Sequence, residues 1–302
     1  MKVTALAGGT GGAKLLVGLQ RVFRDLTAIV NTGDDALIYG VHVAPDVDMV
    51  TYWLAGLADL DRGWGLEGDT FNAVEAFRAL GEEAWFNLGD KDLATCLLRT
   101  RLLRDGATLS AVTDHIRQAL GVPTRIFPMS DDPVRTHIHT SDGRDLEFQE
   151  YFVKEQTRPE VTGVSFRGAE DAKPAPGVIE AIAAADHVVV CPSNPVVSIG
   201  PILAVPGIEE ALVRHPSVVA VTPIVEGRAL KGPADRLLRA AGAEVSASGV
   251  ARMYARWANR FVVDDNDREE GLRLQRSGIE TVVLDTIMVD HDAAERLARA
   301  LF

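Results

Sequence analysis

Strand-sized apolar runs recur along this chain between segments whose hydrophobic positions follow a helical period. They are Val3–Ala7, Leu26–Asn31, Ala84–Leu88, Arg125–Met129, His187–Cys191, Val218–Val221 and Val282–Leu284. Short apolar runs alternating with helices predict an α/β fold built on a doubly wound, mostly parallel sheet. From Lys14 onward, Leu15, Leu16, Leu19, Val22 and Phe23 share one helical face. Two further helices, from about Leu93 to Arg104 and from about Leu109 to Leu120, stop at Gly106 and Gly121, with Pro123 beyond. They make a compact helical section. Thr136–Thr140 and Leu146–Lys154 flank Ser141-Asp142-Gly143-Arg144 and read as a β-hairpin insertion. The chain reads as one domain over residues 1–302, with a possible subdivision at Gly168–Gly177, where Pro174 and Pro176 interrupt the pattern.

The first run breaks into Gly8-Gly9-Thr10-Gly11-Gly12 and then a helix. Glycine lets a ligand approach the main chain, and the free amides at a helix start attract an anion, so this turn is a candidate phosphate site. It lacks the Gly-Lys-Ser/Thr of a P-loop, because Ala13 precedes Lys14 and Leu15 follows it. A dinucleotide fingerprint from Gly9 would place Lys14 where a small residue packs helix on strand, which disfavours a nicotinamide dehydrogenase. Lys14 is either a phosphate contact or a solvated first-turn lysine.

Composition narrows the partners. With 31 basic and 43 acidic residues the net charge is −12, and no long basic stripe exists to neutralise a nucleic acid. Attraction of an anionic ligand must then be local, since surface charges beyond roughly 8 Å are screened. The apolar runs are too short to span a bilayer. Ala5-Leu6-Ala7 resembles a cleavage site, yet the stretch after Lys2 leaves no room for an apolar signal core. Cys96 and Cys191 read as reduced thiols, and together these features predict a cytoplasmic protein with no membrane partner.

Carboxylates recur in turns that follow strands: Asn31-Thr32-Gly33-Asp34-Asp35, Gly89-Asp90-Lys91-Asp92 and Ser130-Asp131-Asp132-Pro133. Pro45-Asp46-Val47-Asp48 adds two aspartates ahead of an apolar helix expected from about Met49. Each turn has an ordinary explanation in capping, but a parallel sheet would bring all four to one edge. Oxygen-only ligands of this kind suit Mg²⁺. Cys191-Pro192-Ser193-Asn194-Pro195 offers a second loop, in which Ser193 and Asn194 are hydrogen-bonding groups for a base, ribose or phosphate. His137 and His139 fall on one side of a strand with no third metal ligand nearby, and no nucleophile elbow is present.

Taken in order, the glycine turn, Asn31–Asp35, Pro45–Asp48, Gly89-Asp90-Lys91-Asp92-Leu93-Ala94-Thr95, Met129–Asp132, Phe148-Gln149-Glu150-Tyr151 and Pro192–Gly200 resemble the 2-phospho-L-lactate transferase family. The resemblance covers nearly the whole chain. It implies a Rossmann-like core, a homodimer and a requirement for Mg²⁺. The implied reaction moves a phosphate-linked three-carbon acid (lactate, enolpyruvate or glycerate) from a guanosine diphosphate donor to the ribityl hydroxyl of the deazaflavin Fo. GMP is released, and the product belongs to coenzyme F420 biosynthesis. The resemblance places Asp48 and Lys91 at deazaflavin-contact positions with catalytic roles. It further implies substrate contacts from Gly8, Gly9, Thr10, Gly11, Gly12, Lys14, Asn31, Asp34, Ser193 and Asn194, and metal ligation by Asp35 and Asp46. The alternative is a non-enzymatic regulatory protein that binds nucleotide sugars or dinucleotides, because such proteins share the glycine-rich start.

Overall fold

The computed structural model describes residues 1–302. Its main element is a seven-stranded sheet formed by β1 (Lys2–Ala7), β2 (Asp25–Val30), β3 (Arg125–Pro128), β4 (His187–Val190), β5 (Val218–Val221), β6 (Arg260–Asp264) and β7 (Thr281–Leu284). The spatial order is β7-β6-β5-β4-β1-β2-β3, and every neighbouring pair is parallel. The chain winds outward from β1 through β2 to β3, then returns to β4 on the other side of β1. That reversal leaves a crevice at the carboxyl ends of β1 and β4, where open α/β sheets bind ligands.

Strand pleating explains the double winding. Val188, Val190, Val218 and Ala220 enter one buried cluster, while Val189, Cys191, Val219 and Val221 enter another. Alternate residues therefore feed cores on opposite faces, and both faces must be covered by helices. Because the sheet takes strands from both sides of Gly168–Gly177, that segment is packed rather than free. Ala169, Ala172 and Ala175 are buried, and the Ala175 amide donates to Met129 O at 3.1 Å.

Two differences from the sequence expectation have physical causes. Ala84–Leu88 is not a strand: the Tyr39 hydroxyl donates to Phe86 O at 3.0 Å and accepts from the Phe86 amide at 2.7 Å, so one side chain does the work of a ladder partner. β6 went unforeseen because only Phe261-Val262-Val263 separate Arg260 from Asp264. The hairpin is present, with Arg135–Thr140 paired to Asp145–Glu147, but the second strand stops where Glu150–Lys154 turns helical. Val161–Arg167 adds a third strand on the other side. The helices expected near 93–104 and 109–120 run over Asp90–Arg104 and Leu109–Ala119. No single helix is long and apolar enough to cross a membrane, and both cysteines are free and buried.

The first helix, α1 (Gly9–Val22), packs on the carboxy-terminal helix His291–Ala300 with their backbones in close approach. A Cβ at Gly18 would lie 2.2 Å from Ala294 O. Gly18→Ala is therefore expected to destabilise by about 1–3 kcal/mol through overpacking, although alanine at an open helical site would stabilise by nearly 1 kcal/mol. A thermal melt decides the sign. An unchanged or raised midpoint would show that the two helices are not held this closely.

Candidate active site at the carboxyl edge of the sheet

β1 ends at Ala7 and α1 begins at Gly9, whose φ of +66° favours glycine and whose missing side chain faces open space. The other three glycines of the turn are required by the protein itself. A Cβ would lie 2.5 Å from Asp46 Oδ2 at Gly8, 2.3 Å from Pro192 O at Gly11 and 2.6 Å from Ser193 Oγ at Gly12. The turn is clasped between the loop after β4 and the helix that carries Asp46. The Gly8 amide donates to Ser193 Oγ at 3.1 Å and the Gly9 amide to Asp46 Oδ1 at 2.8 Å. A protein carboxylate thus occupies part of the positive end of α1. The amides of Thr10 and Gly11 have no partner within the helix and remain for a ligand.

Asp46 and Asp48 do not precede their helix but form its first turn, because α2 (Pro45–Leu54) starts at Pro45, a residue preorganised for the first helical position. Asn31, at the end of β2, donates from Nδ2 to Asp46 Oδ2 at 2.9 Å and to Val197 O at 3.3 Å, and its Oδ1 accepts from the Gly33 amide at 2.8 Å. It thereby ties the second acidic turn to the loop after β4. A tight ribbon, Ala36–Ile38 paired with Val41–Val43 around Tyr39-Gly40, folds Asp35 back onto His42, with Asp35 Oδ2 2.8 Å from His42 Nε2. Asp34, Asp35, Asp46 and Asp48 are all buried.

The cation inside this cluster is Arg99, only 1% exposed, on α3 (Asp90–Arg104). It donates from Nη2 to Asp48 Oδ1 and from Nη1 to His42 O at 3.1 Å. Tyr52 Oη donates to Asp92 Oδ1 at 2.8 Å beside the pair. Sequence reasoning missed Arg99, His42 and Tyr52. An arginine among the charged residues of α3 carries no mark of burial, except that Cys96 sits one turn earlier on the same face.

Burial dominates the electrostatics. It raises Asp34 well above the usual carboxylate range, and the Asp46 and Asp35 charges add to the effect. It lifts Asp46 to about 6 against the hydrogen bonds from Asn31 and Gly9. It also raises Asp48, outweighing the Arg99 charge, and takes Asp92 to about 7 with help from Asp48. One oxygen each of Asp34, Asp35 and Asp48 is buried without a hydrogen-bond partner: Oδ1 of the first two and Oδ2 of Asp48. The trio Asp48, Asp92 and Cys96 also has its ligand atoms within 4.8 Å of one another, but Arg99 is already set against Asp48 there.

The remaining candidates separate. Lys91 stands on the outer rim, donating from Nζ to Glu67 O at 2.9 Å with no hydrogen bond to Asp48. Lys14 Nζ donates to Met288 O at 2.8 Å. Ser193 faces the glycine turn, whereas Asn194 Oδ1 accepts from the Val196 and Val197 amides at 3.0 and 3.3 Å and so shapes its own loop. The acidic turns do not all converge. Asp90 accepts from Thr70, Asn72 and Ala73, which hold it down to about 2. Asp131 caps Ser110 and Asp132 accepts from the Lys173 amide, so both are structural. His137 Nδ1 lies 2.8 Å from Asp145, which Arg167 also engages, leaving an ion-paired surface rather than a metal site.

A parallel sheet with this winding order, a glycine turn at its switch point and buried carboxylates beside it define a nucleotide-handling α/β protein of the phosphoryl-transfer type. The model of the family described as "2-phospho-L-lactate transferase CofD" matches residues 3–301, and the chain belongs to that family. It is 40% identical to a 2-phospho-L-lactate transferase of Methanosarcina mazei over 294 residues, 97% of this chain and 96% of the relative. It is 43% identical to a phosphoenolpyruvate transferase of Streptomyces griseus over 307 residues, 99% and 96% of the two chains. A crystal structure of a UPF0052-family protein from Bacillus halodurans superposes over 100% of both chains with a TM-score of 0.63 at 18% identity, a likeness of fold.

Two outcomes follow from the buried charges. Arg99→Met leaves Asp48 buried without its cation and is expected to cost about 3–5 kcal/mol in denaturant unfolding, with Asp48→Asn in the same chain recovering most of it. Without metal, the folded chain keeps protons on Asp46 and Asp92 that unfolded carboxyls have lost. Stability is therefore expected to fall as pH rises from about 4 to about 7. Asp92→Asn should flatten that slope, and an unchanged slope in thermal melts would contradict the burial assigned to Asp92.

Proposed function

We propose that this chain is the transferase that moves an acid-bearing phosphate from a guanosine diphosphate donor to the ribityl hydroxyl of Fo, releasing GMP, in coenzyme F420 biosynthesis. The observation that carries the reading is the family match over residues 3–301, which includes every segment of the carboxyl-edge site. The relatives named for phospholactate and for phosphoenolpyruvate are similarly close, at 40% and 43% identity, so both acids are donor candidates, with glycerate a third.

In this reading the hydroxyl of Fo attacks the phosphorus that bears the three-carbon acid, the phosphoanhydride bond breaks, and GMP leaves as a stabilised phosphate. The protein's task is to align and to neutralise. The free first-turn amides of α1 face the diphosphate, and Ser193 holds the turn in shape. Asp48 receives the hydroxyl. Arg99 pins one of its oxygens, and the other, Oδ2, is buried and unpartnered. A carboxylate with a raised proton affinity is a better base near neutrality than an ordinary one. Lys91 closes the outer side, where it contacts Fo.

Mg²⁺ fits the residues present. The orphaned oxygens of Asp34 and Asp35 are hard donors of the kind that would hold this ion by one or two carboxylates and substrate phosphates, while Oδ2 of Asp48 is kept for the hydroxyl. Asp46 is committed on both oxygens to Gly9 and Asn31, so Asp35 is the better supported of the two ligands first expected. When bound, the ion would offset charge on the phosphate being transferred. The expected assembly is a homodimer.

Fo fluorescence, titrated with and without GDP and Mg²⁺, is expected to report saturable binding that GDP or Mg²⁺ strengthens. Absence of Fo binding under every condition would overturn the assignment in favour of a nucleotide-binding regulator. Asp48→Asn should retain GDP binding and lose about 10²–10⁴-fold in turnover with the accepted donor. Full turnover in that variant would remove Asp48 from the mechanism.

A further inference from the structure

A second charged feature lies beside the glycine turn. Thr10, in the first turn of α1, donates from Oγ1 to Gly63 O at 3.4 Å, and one helical turn further on the same face carries Lys14. Beyond β5 the chain makes a small hairpin, Ile224–Val225 with Arg228–Ala229, and the segment after it brings Lys231 over Gly63. A Cβ at Gly63 would lie 2.6 Å from Lys231 Nζ. Two lysines from distant parts of the sequence thus come near Thr10, close enough for the charge of Lys231 to act on Lys14.

Neither lysine has an ion-pair partner, and three acids of the neighbouring segments are engaged elsewhere. Asp290 caps the last helix through the Ala293 amide at 2.7 Å, Asp292 pairs with Arg21 at 2.8 Å, and Asp59 pairs with Arg62 at 2.9 Å. Lys14 spends one of its protons on Met288 O and keeps two for other acceptors. Partial burial, and then the charge of Lys231, depress its proton affinity. Such an arrangement is relieved by a multiply charged anion with several acceptor oxygens.

We propose that Lys14 and Lys231 together grip the phosphates of the nucleotide donor, with Lys231 supplied by the segment after the hairpin as a cation that the glycine turn lacks. The inference rests on the transferase reading above and adds the residues that hold the leaving nucleotide. It gives the divided site a physical sense. Carboxylates gather in the segments after β2, where a metal and the attacking hydroxyl would belong, and the lysines come from α1 and the segment after β5, where they would meet the negative charge that accumulates as GMP departs. The lysine pair also supplies the phosphate charge partner missing from a turn whose positive end is partly taken by Asp46.

The test compares binding of GDP and of guanosine to wild type, Lys231→Met and Lys231→Arg by calorimetry. Lys231 is exposed, so neither variant should alter the melting midpoint. Lys231→Met is expected to weaken GDP by about tenfold and leave guanosine unchanged, while Lys231→Arg stays within about threefold of wild type because the charge is kept. Equal GDP affinity in Lys231→Met, or equal weakening of GDP and guanosine, would overturn the inference while leaving the transferase reading intact. Wild type that binds no GDP would overturn both.

Discussion

Burying carboxylates beside the amino end of a helix is the constraint on which this structure depends. Asp34, Asp35, Asp46 and Asp48 are withdrawn from water within the two segments that follow β2. Isolated charges in such a place are prohibitively costly, so the fold answers with three devices: the dipole and amides of α1, the amide of Asn31, and the guanidinium of Arg99. Each comes from a different element, which is why β1, β2, α2 and α3 must be assembled together before the site exists. The compensation is incomplete. Proton affinities remain raised, and several carboxylate oxygens remain without donors. In the proposed reaction that unspent capacity would be taken up by a metal ion and the substrate hydroxyl.

Much of the frame was legible in the sequence. β1, β2, β3, β4, β5 and β7 are short apolar runs bounded by turn residues, and parallel strands buried on both faces are the elements such runs describe most reliably. β6 escaped because charged residues at both ends shorten its apolar signal. Ala84–Leu88 misled because an apolar segment covering a small satellite core looks the same as a strand until its backbone partners are known. Here the Tyr39 hydroxyl is that partner.

The site was half legible for a similar reason. Spacing and the glycine turn located Asp34, Asp35, Asp46 and Asp48, since their positions follow from chain connectivity at a strand end. Sequence could not separate them from Asp90, Asp131 and Asp132, which have the same local pattern but cap helices and loops. Nor could it find Arg99, whose role comes from tertiary packing of α3 against the Val41–Val43 strand, which carries its guanidinium to Asp48. The glycines themselves changed meaning. Gly8, Gly11 and Gly12 make room for Asp46, Pro192 and Ser193, and only Gly9 opens onto space for a ligand.

In the proposed reaction, protons held on Asp34, Asp46 and Asp48 in the free protein would be displaced by Mg²⁺ entering with nucleotide. Calorimetric titration of Mg²⁺ into the GDP-bound protein at pH 6, repeated in buffers of different ionisation enthalpy, measures that displacement directly. Net proton release is expected on Mg²⁺ binding, smaller at pH 8, where Asp46 has already ionised. Mg²⁺ binding with no proton release at pH 6, or no Mg²⁺ binding at either pH, would contradict it.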